Sequence, residues 1–236
     1  MKFENTDVWG FKHAIRGMRN PMNSWGKSDS VFSEDYRDFD IGEDDLDLMQ
    51  RLIKGGSEHR KFMRQIIVSV DITAPLYWYK EFDTYKIGTT ANSTSTMHKL
   101  ATTPITIDCF ETDDYEPTLI FDEGIDYSGD NPWNYHLNIE DVIGTNEKEY
   151  YINETFIGFL ERLRLKYLET KDKRYWKELI RWLPESWLQT RTWTANYEVL
   201  RNLVHQRQGH KLSEWQSFID WVHTLPYAEE LIFYKG

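Results

Sequence analysis

The stretch that decides the fold has the sequence WTANYEVLRNLVHQR and covers residues 193–207. Its pattern of apolar and polar residues predicts a helix from Thr194 to Gln208. On that helix Asn196 and Arg207 lie eleven residues apart, close to three turns, so their side chains share a face about 16 Å apart. No single ligand atom can contact both. The shared face suits two bound molecules or one long molecule.

The same polar residues also allow a purely structural interpretation. Arg207 would then be a surface cation near the C-terminus of a helix, where the helix dipole favours positive charge. His59, in an earlier segment, would be a hydrogen-bonded histidine of the core. Asn202 lies on a different side of the predicted helix from Asn196, so it would face solvent or another subunit.

The segment upstream of this stretch is predicted to contain a strand, a helix and a ligand-binding loop. Residues 66–72 are apolar and β-branched, which predicts a buried strand, and Pro75 suits the first turn of a helix that reaches Phe82. A short helix carrying His59 precedes the strand. Residues 89–96 are small and polar, so we expect a loop whose hydroxyl and amide groups could contact a ligand.

Helical spacing of apolar residues predicts most of the remaining structure. Further helices are expected at 11–19, 46–53, 156–167, 175–182 and 212–225, the second of them capped by Asp44-Asp45. Residues 103–110 are predicted to form a strand, residues 20–42 a polar loop or lid, and residues 111–135 an acidic flap. A length of 236 residues favours one domain.

Composition excludes several classes of partner. The formal net charge of −11 opposes attraction to nucleic acid, because binding along the phosphate backbone needs a basic surface. The N-terminus lacks the basic start and apolar run of a signal peptide, and the apolar stretches are too short to cross a membrane. Cys109 is the only cysteine, so no disulfide can form within the chain; it is expected in a buried strand. We expect a cytoplasmic protein.

Motifs for the common cofactors are missing from the sequence. There is no glycine-rich dinucleotide fingerprint and no P-loop, so any phosphate must be held by side chains and helix ends. The seven histidines lack metal-binding spacings, and neither HExxH nor G-x-S-x-G occurs. The sequence therefore predicts neither a metal centre nor a serine-hydrolase site.

The deciding stretch and the residues before it resemble the flavin-dependent thymidylate synthases. That family shows L-P, then W-T-x-N, then a helix of the form N-x-x-x-L-x-[HN]-x-x-x-x-R. The matching residues, with every spacing kept, are Leu183-Pro184, Trp193-Thr194-Ala195-Asn196, Leu200, Asn202 and Arg207. Arg181 lies one residue from the place where the family has an arginine that contacts phosphate.

A second block resembles the family's G-H-x-x-x-x-E-H element, its Ala-Pro and its signature R-H-R-x-x-S-x-N-E-x-S-x-R. Without gaps, His59 falls on the first histidine, Ala74-Pro75 on Ala-Pro and Glu81 on a glutamine beside the uracil. Thr84-Tyr85-Lys86 fall on R-H-R, and the remaining signature positions are Thr89, Ala91, Asn92, Thr94 and Thr96.

The second block departs from the family mainly in its charged residues. Thr84 and Tyr85 replace an arginine and a histidine, which removes a guanidinium and an imidazole from the flavin side. Lys86 keeps positive charge but lacks the planar fork of arginine. Thr96 replaces an arginine that clamps phosphate in the family.

The resemblance implies one α/β (α+β) domain over residues 1–236, with a mixed or antiparallel sheet flanked by helices. It also implies a homotetramer whose subunits share each flavin site. The implied reaction is reductive methylation of dUMP to dTMP, in which NADPH reduces FAD and methylenetetrahydrofolate supplies the carbon. Because the flavin carries the chemistry, no protein nucleophile is needed.

The resemblance also assigns roles to particular residues. It implies that Arg207 contacts a uracil carbonyl, and that the nucleotide is surrounded by Glu81, Asn92, Thr94, Thr96 and Arg181. It places near FAD the residues His59, Thr84, Tyr85, Lys86, Thr89, Asn196 and Asn202. Two alternatives stay open: a related enzyme that installs a hydroxymethyl group on a pyrimidine nucleotide, and a non-catalytic nucleotide-binding protein on the same scaffold.

Overall fold

A computed structural model describes residues 1–35, 38–113 and 156–235 of the chain. The contacts between residues divide the chain into two compact units. The first unit comprises Met1–Thr94 and Gln189–Gly236, and the second comprises Ser95–Leu188. The single domain expected over the whole chain stays a prediction.

The first unit is built from two sheets and their flanking helices, and the second is mainly helical. The strands are β1 (Lys2–Trp9), β2 (Val31–Phe32), β3 (Phe39–Asp40), β4 (Ile67–Pro75), β5 (Thr90–Ser93) and β6 (Leu188–Asn196). The α-helices are α1 (Phe11–Arg19), α2 (Glu43–Lys54), α3 (Leu76–Phe82), α4 (Thr96–Lys99), α5 (Gly158–Thr170), α6 (Lys173–Arg181), α7 (Tyr197–Arg207), α8 (Ser213–His223) and α9 (Ala228–Leu231). Short 3₁₀ helices lie at Asn20–Met22, Trp25–Lys27, Arg60–Gln65 and Ile107–Cys109.

The main sheet has the strand order β1-β4-β6-β5, and β2 pairs with β3 in a separate ribbon. β1 runs antiparallel to β4, and β5 runs antiparallel to β6. The Ser69 hydroxyl of β4 hydrogen-bonds to that of Thr194 near the end of β6. The Thr73 hydroxyl bonds to that of Thr190 nearer its start, so β4 and β6 also run in opposite directions. The predicted class, an antiparallel sheet flanked by helices, is confirmed.

The core of the first unit lies between the sheet and its helices. Alternation along β4 buries Val68, Val70 and Ile72, while the residues between them face the other side of the sheet. Trp78 of α3 and Trp215 of α8 belong to the same buried cluster, with ring centroids 5.1 Å apart. Each such large apolar side chain contributes about 1.5–3 kcal/mol on burial. This packing fixes α3 and α8, which both carry candidate site residues.

The second unit has a smaller apolar core of its own. Its buried members are Leu100, Ile105, Phe110, Ile157, Leu160 and Leu179. Arg164 of α5 is buried beside this cluster, and its Nε donates to Glu161 Oε2 at 2.7 Å. Arg164 also donates to the carbonyl of Ala101 at 3.3 Å. The bond to Ala101 ties α5 to the segment that follows α4.

Some predictions for short extended segments are wrong. The loop predicted at 89–96 contains strand β5, because residues 90–93 pair along β6 at the edge of the sheet. No strand forms at 103–110 as predicted. A 3₁₀ helix lies near the end of this segment, and within the segment only Phe110 makes a β-bridge, to Trp187. Cys109 therefore lies in that helix, partly exposed, and not in a buried strand.

The start of α2 also differs from the prediction. Gly42 is the N-cap residue, and the Asp44 side chain caps nothing there. The carboxylate of Asp29 accepts instead from the backbone N–H groups of Asp44 and Asp45, at 2.9 and 3.0 Å. A residue from the polar loop at 20–42 thus supplies the cap, because the loop folds back onto the helix.

Helices with a clear apolar stripe lie where the sequence places them. α1 has the predicted bounds, and α6 and α8 agree within two residues at each end. From residue 114 onward, the predicted acidic flap lies outside the described residues. Among the helices that are described, none is both long and apolar enough to cross a membrane. The described part of the chain also contains no cluster of three metal-ligating side chains.

Candidate functional site

The helix of the deciding stretch begins later than predicted. β6 continues through Asn196, and α7 begins at Tyr197. Asn196 is therefore extended, and its side-chain oxygen accepts the backbone N–H of Val199 at 3.0 Å. This is an N-cap bond, which satisfies a donor of the first helical turn. The prediction that Asn196 and Arg207 share one face of a helix is thus wrong.

The turn that follows α3 approaches this cap closely. Gly88 has a φ of +76°, a left-handed conformation that favours glycine. A Cβ atom at this position would lie 3.1 Å from Val199 Cγ2 and 3.4 Å from Asn196 Nδ2. A larger residue would push the turn away from α7. The close approach places the segment that carries Lys86 beside the start of α7.

Arg207, at the end of α7, is held by an ion pair with Glu81 of α3. The distance from Arg207 Nη1 to Glu81 Oε1 is 2.6 Å. The indole N–H of Trp215 donates to the other carboxylate oxygen at 2.7 Å, and His210 Nε2 lies 3.4 Å from Oε1. Three side chains thus converge on one carboxylate.

Two aromatic rings flank the guanidinium of Arg207. Its central carbon lies 4.9 Å from the ring centroid of Trp215 and 5.2 Å from that of Tyr85. Such cation–π contacts contribute about 0.5–2 kcal/mol. The Arg207 side chain stays 19% exposed, and its enclosed Nε has no hydrogen-bond partner among the described residues. Arg207 is therefore a fixed cation with a spare donor.

A pocket of about 170 Å³ shares Tyr85 with this cluster. The residues that line it are Phe82, Asp83, Tyr85, Lys86, Thr89, Ala91 and Trp193. Phe82 and Trp193 are buried, with ring centroids 5.0 Å apart, and they form an apolar wall. A wall of this kind suits a planar ring.

The turn after α3 supplies the polar part of the pocket. The Thr89 hydroxyl donates to the carbonyl of Tyr85 at 3.0 Å, and the Thr84 hydroxyl donates to that of Glu81 at 2.7 Å. Lys86 is exposed, and no side chain in the described ranges pairs with its ammonium group. The hydrogen bonds fix the turn and leave Lys86 available to an anion.

Arg191 of β6 contacts Asp83, one of the residues that line the pocket. Its Nη1 donates to Asp83 Oδ1 at 2.6 Å, and its Nε donates to Gln189 Oε1 at 2.9 Å. Its central carbon lies 3.7 Å from the ring centroid of Tyr79. Burial raises the pKa of Tyr79, so the ring under the guanidinium stays neutral. The Tyr79 hydroxyl donates to the carbonyl of Ile72 at 2.6 Å, which anchors the ring.

Two residues assigned to the nucleotide lie on or next to β5. Asn92 is opposite Thr192 and exposed. Because Ala91 faces the pocket, alternation turns Asn92 toward the other side of the sheet. Thr94 is also exposed, and its backbone N–H donates to the carbonyl of Thr190. Neither residue lines the pocket.

Two residues assigned to FAD are exposed and lie outside the pocket lining. His59 lies against Gly55, which follows α2; two atoms of the His59 ring lie 3.1 and 3.2 Å from the position that a Cβ on Gly55 would occupy. Its exposure contradicts the interpretation of His59 as a core histidine. Asn202 lies on α7 between the buried residues Arg201 and Leu203.

Thr96 and Arg181 belong to the second unit. Thr96 is the first residue of α4, and the preceding Ser95 caps that helix. Arg181 ends α6, where it is exposed and forms an ion pair with Glu178. Their contacts with a nucleotide stay predictions.

Trp215, His210 and Arg191 are site residues that the sequence analysis missed. The bond from Trp215 to Glu81 spans 134 residues, and periodicity carries no information about such distant pairs. One signal was present in the sequence: a tryptophan in a predicted buried helix must find an acceptor for its indole N–H. Glu81, at the end of α3, is that acceptor.

With the sheet, helices and pocket in place, the fold can be assigned to a class: it is the fold of flavin-dependent thymidylate synthases. One similar solved structure is that of the Helicobacter pylori enzyme complexed with FAD and dUMP, with a TM-score of 0.60, 17% identity, and coverage of 99% of this chain and 98% of that chain. A second structure of the H. pylori enzyme with FAD and dUMP has a TM-score of 0.60 and 18% identity, covering 99% and 97%. Neither a protein-family model nor a curated protein matches the sequence. The likeness therefore establishes the fold.

Proposed function

We propose that the chain is a flavin-dependent thymidylate synthase-like enzyme that methylates dUMP reductively to dTMP. Methylenetetrahydrofolate would supply the carbon, and NADPH the reducing equivalents. The observation that carries the proposal is the Arg207–Glu81 pair, fixed between two aromatic rings beside the pocket. Full-length likeness to structures that contain FAD and dUMP supports it.

The pair matches the edge of a uracil ring. Uracil presents carbonyl oxygens on both sides of one N–H group, so it needs donors and an acceptor close together. The Arg207 side chain is 19% exposed and that of Glu81 is 28% exposed, which leaves part of the guanidinium and part of the carboxylate accessible. A cation beside a carbonyl also stabilises negative charge that develops on the ring during reaction. Arg207 would thus bind the base and lower the barrier.

The pocket fits part of a flavin cofactor. Phe82 and Trp193 provide an apolar wall, Thr89 a hydroxyl, and Lys86 a cation that no described residue pairs with. When bound, FAD would supply the redox chemistry that side chains lack. Tyr85 and Lys86 would hold it directly, and Asn196 would fix the adjacent turn through the close approach of Gly88.

A site shared between subunits would account for the small size of the pocket. Sites for whole ligands usually measure about 300–1,000 Å³, whereas this pocket measures about 170 Å³. A dinucleotide such as FAD would extend beyond it. His59 and Asn202, exposed and outside the pocket lining, would then contact FAD held by another copy. We therefore propose a homotetramer, as the resemblance implies.

Flavin absorbance of the purified protein tests the proposal. We expect a yellow protein, or one that gains flavin absorbance when FAD is added, and a mass by light scattering above that of a dimer. Titration with dUMP should release or absorb heat.

A colourless protein that binds dUMP but never FAD would favour the non-catalytic alternative. A product that carries a hydroxymethyl group would favour the hydroxymethylase. A monomer that holds FAD tightly would contradict the shared site.

A further inference from the structure

Arg191 lies on the same face of the sheet as two residues that line the pocket, although it does not itself line the pocket. In β6 it lies two residues before Trp193, and in an antiparallel strand such residues face the same side. Trp193 lines the pocket, and so does Ala91, its partner on β5. The next pair on this face is Ser93 with Arg191. Arg191 is therefore the adjacent side chain along the pocket face.

The guanidinium of Arg191 is held in place before any ligand binds. Its plane is fixed by the bond from Nε to Gln189 Oε1, and its carbon lies 3.7 Å from the ring centroid of Tyr79. Gln189 is itself buried, and its amide donates to the carbonyl of Thr94 at 2.8 Å. An arginine ordered in this way loses little entropy when it binds an anion.

The present partner of Arg191 can be exchanged. Asp83 accepts from Nη1, yet its side chain is 49% exposed and it sits in the turn that lines the pocket. Nη2 donates no hydrogen bond within the described residues. Lys86, three residues further along the same turn, is a second cation without a partner in that part of the chain. The guanidinium of Arg191 is therefore held in place, while a ligand can displace the carboxylate of Asp83 that pairs with it.

We propose that Arg191 binds the phosphate of the nucleotide, which displaces Asp83; this inference rests on the proposed function. A phosphate offers three acceptor oxygens and up to two negative charges, so it matches a guanidinium in two parallel bonds better than one half-exposed carboxylate does. Asp83 holds the arginine in position while the site is empty.

Calorimetry with dUMP and with deoxyuridine, which lacks the phosphate, tests this role. Arg191→Ala should weaken dUMP binding by about tenfold or more and change deoxyuridine binding by less than about twofold. Asp83→Asn should tighten dUMP binding, because it removes the competing charge. Arg51→Ala, which breaks an exposed arginine–aspartate pair on α2, is the matched control and should change neither.

The outcomes separate this role from its alternatives. An equal loss for dUMP and deoxyuridine would mean that Arg191 only supports the sheet. Weaker dUMP binding in Asp83→Asn would mean that the phosphate does not displace Asp83, and would overturn the proposal. An unchanged dUMP affinity in Arg191→Ala would also overturn the proposal. If Arg191→Ala does not fold, Arg191→Lys replaces it and should lose part of the dUMP affinity only. If the parent binds neither compound, the proposed function fails and this role falls with it.

Discussion

Two arginine–carboxylate pairs in the first unit have the same length but different surroundings. Arg19–Asp45 and Arg207–Glu81 both measure 2.6 Å. The side chains of Arg19 and Asp45 are 5% and 0% exposed, whereas those of Arg207 and Glu81 are 19% and 28% exposed. Distance alone therefore does not distinguish a fully buried pair from one that solvent can reach.

The donors around each carboxylate explain the difference. Asp45 accepts from Arg19, from the hydroxyls of Ser28 and Ser30 at 2.6 and 2.7 Å, and from the backbone N–H groups of Asp29 and Ser30. The Asp45 side chain is fully buried, so no ligand can reach it, and its bonds hold the 28–30 loop against α2. Glu81 is only partly enclosed, and a ligand can reach it.

Removal of Asp45 should produce the largest effect on stability. Asp45→Ala leaves the buried Arg19 charge uncompensated, and breaking a buried pair in this way costs about 3–5 kcal/mol. Asp47→Ala on the same helix is the control, because its pair with Arg51 is exposed and contributes about 1 kcal/mol or less. Urea denaturation measures both. Equal losses of unfolding free energy in the two variants would mean that the buried pair contributes no more to stability than the exposed pair.

Removal of Arg207 should act on binding more than on stability. A charged hydrogen bond contributes about 1.5–3 kcal/mol, so Arg207→Ala should weaken dUMP binding roughly ten- to a hundredfold. The unfolding free energy should change less than in Asp45→Ala, because water can reach Glu81. Arg207→Lys should recover only part of the affinity, since lysine lacks two parallel donors. Calorimetry with dUMP decides this: an Arg207→Ala protein that binds as well as the parent contradicts the assignment.

The buried pair should also make stability depend on pH. Burial raises the pKa of Asp45, but hydrogen bonds from Ser28, Ser30 and Arg19 outweigh that effect. They hold the pKa of this carboxyl below its ordinary value of 3.8. A carboxylate with a lowered pKa stabilises the fold above its unfolded pKa, and that contribution is lost as the pH falls through the folded pKa. Stability should therefore decrease below about pH 4. Asp45→Asn, followed by denaturation at several pH values, should flatten this slope. An identical slope in the variant would assign the effect to other groups.

Lys86, a cation without a carboxylate partner among the described residues, should show the smallest effect. Beside a bound flavin, its charge favours the reduced, more negative form. Lys86→Ala should therefore lower the midpoint potential, by roughly 5–20 mV if the partly exposed charge is worth about 0.2–1 kcal/mol. Spectroelectrochemistry measures this shift. A potential that does not move while FAD stays bound would exclude the role.

The sequence predicted those elements whose pattern is strong and local. α1 and α8 carry apolar residues at helical spacing, and their positions are confirmed. β1 was missed because its exposed residues from Glu4 to Asp7 show no alternation; pairing with β4 determines that strand. The start of α7 was misplaced because the Asn196 side chain ends the strand by capping the helix.

Only the parts of the candidate site that match the family's sequence motifs could be predicted from the sequence. The resemblance put Glu81 and Arg207 near one ligand, and the structure brings them together. It did not reveal that they pair with each other, nor that Trp215 and Tyr85 enclose the guanidinium. Those contacts depend on how α3, α7 and α8 pack, which one sequence does not encode in any local pattern.

The neighbouring positions of β4 and β6 in the sheet have a consequence for biosynthesis. β4 ends at Pro75 and β6 begins at Leu188, so roughly 110 residues separate two adjacent strands. At about 5–20 residues per second, the ribosome needs on the order of 5–20 s to make that segment. Throughout this interval the hydroxyls of Ser69 and Thr73 lack their partners on β6, and one edge of β4 is open. The nascent chain therefore exposes an apolar strand for seconds, and a chaperone has that time to bind it.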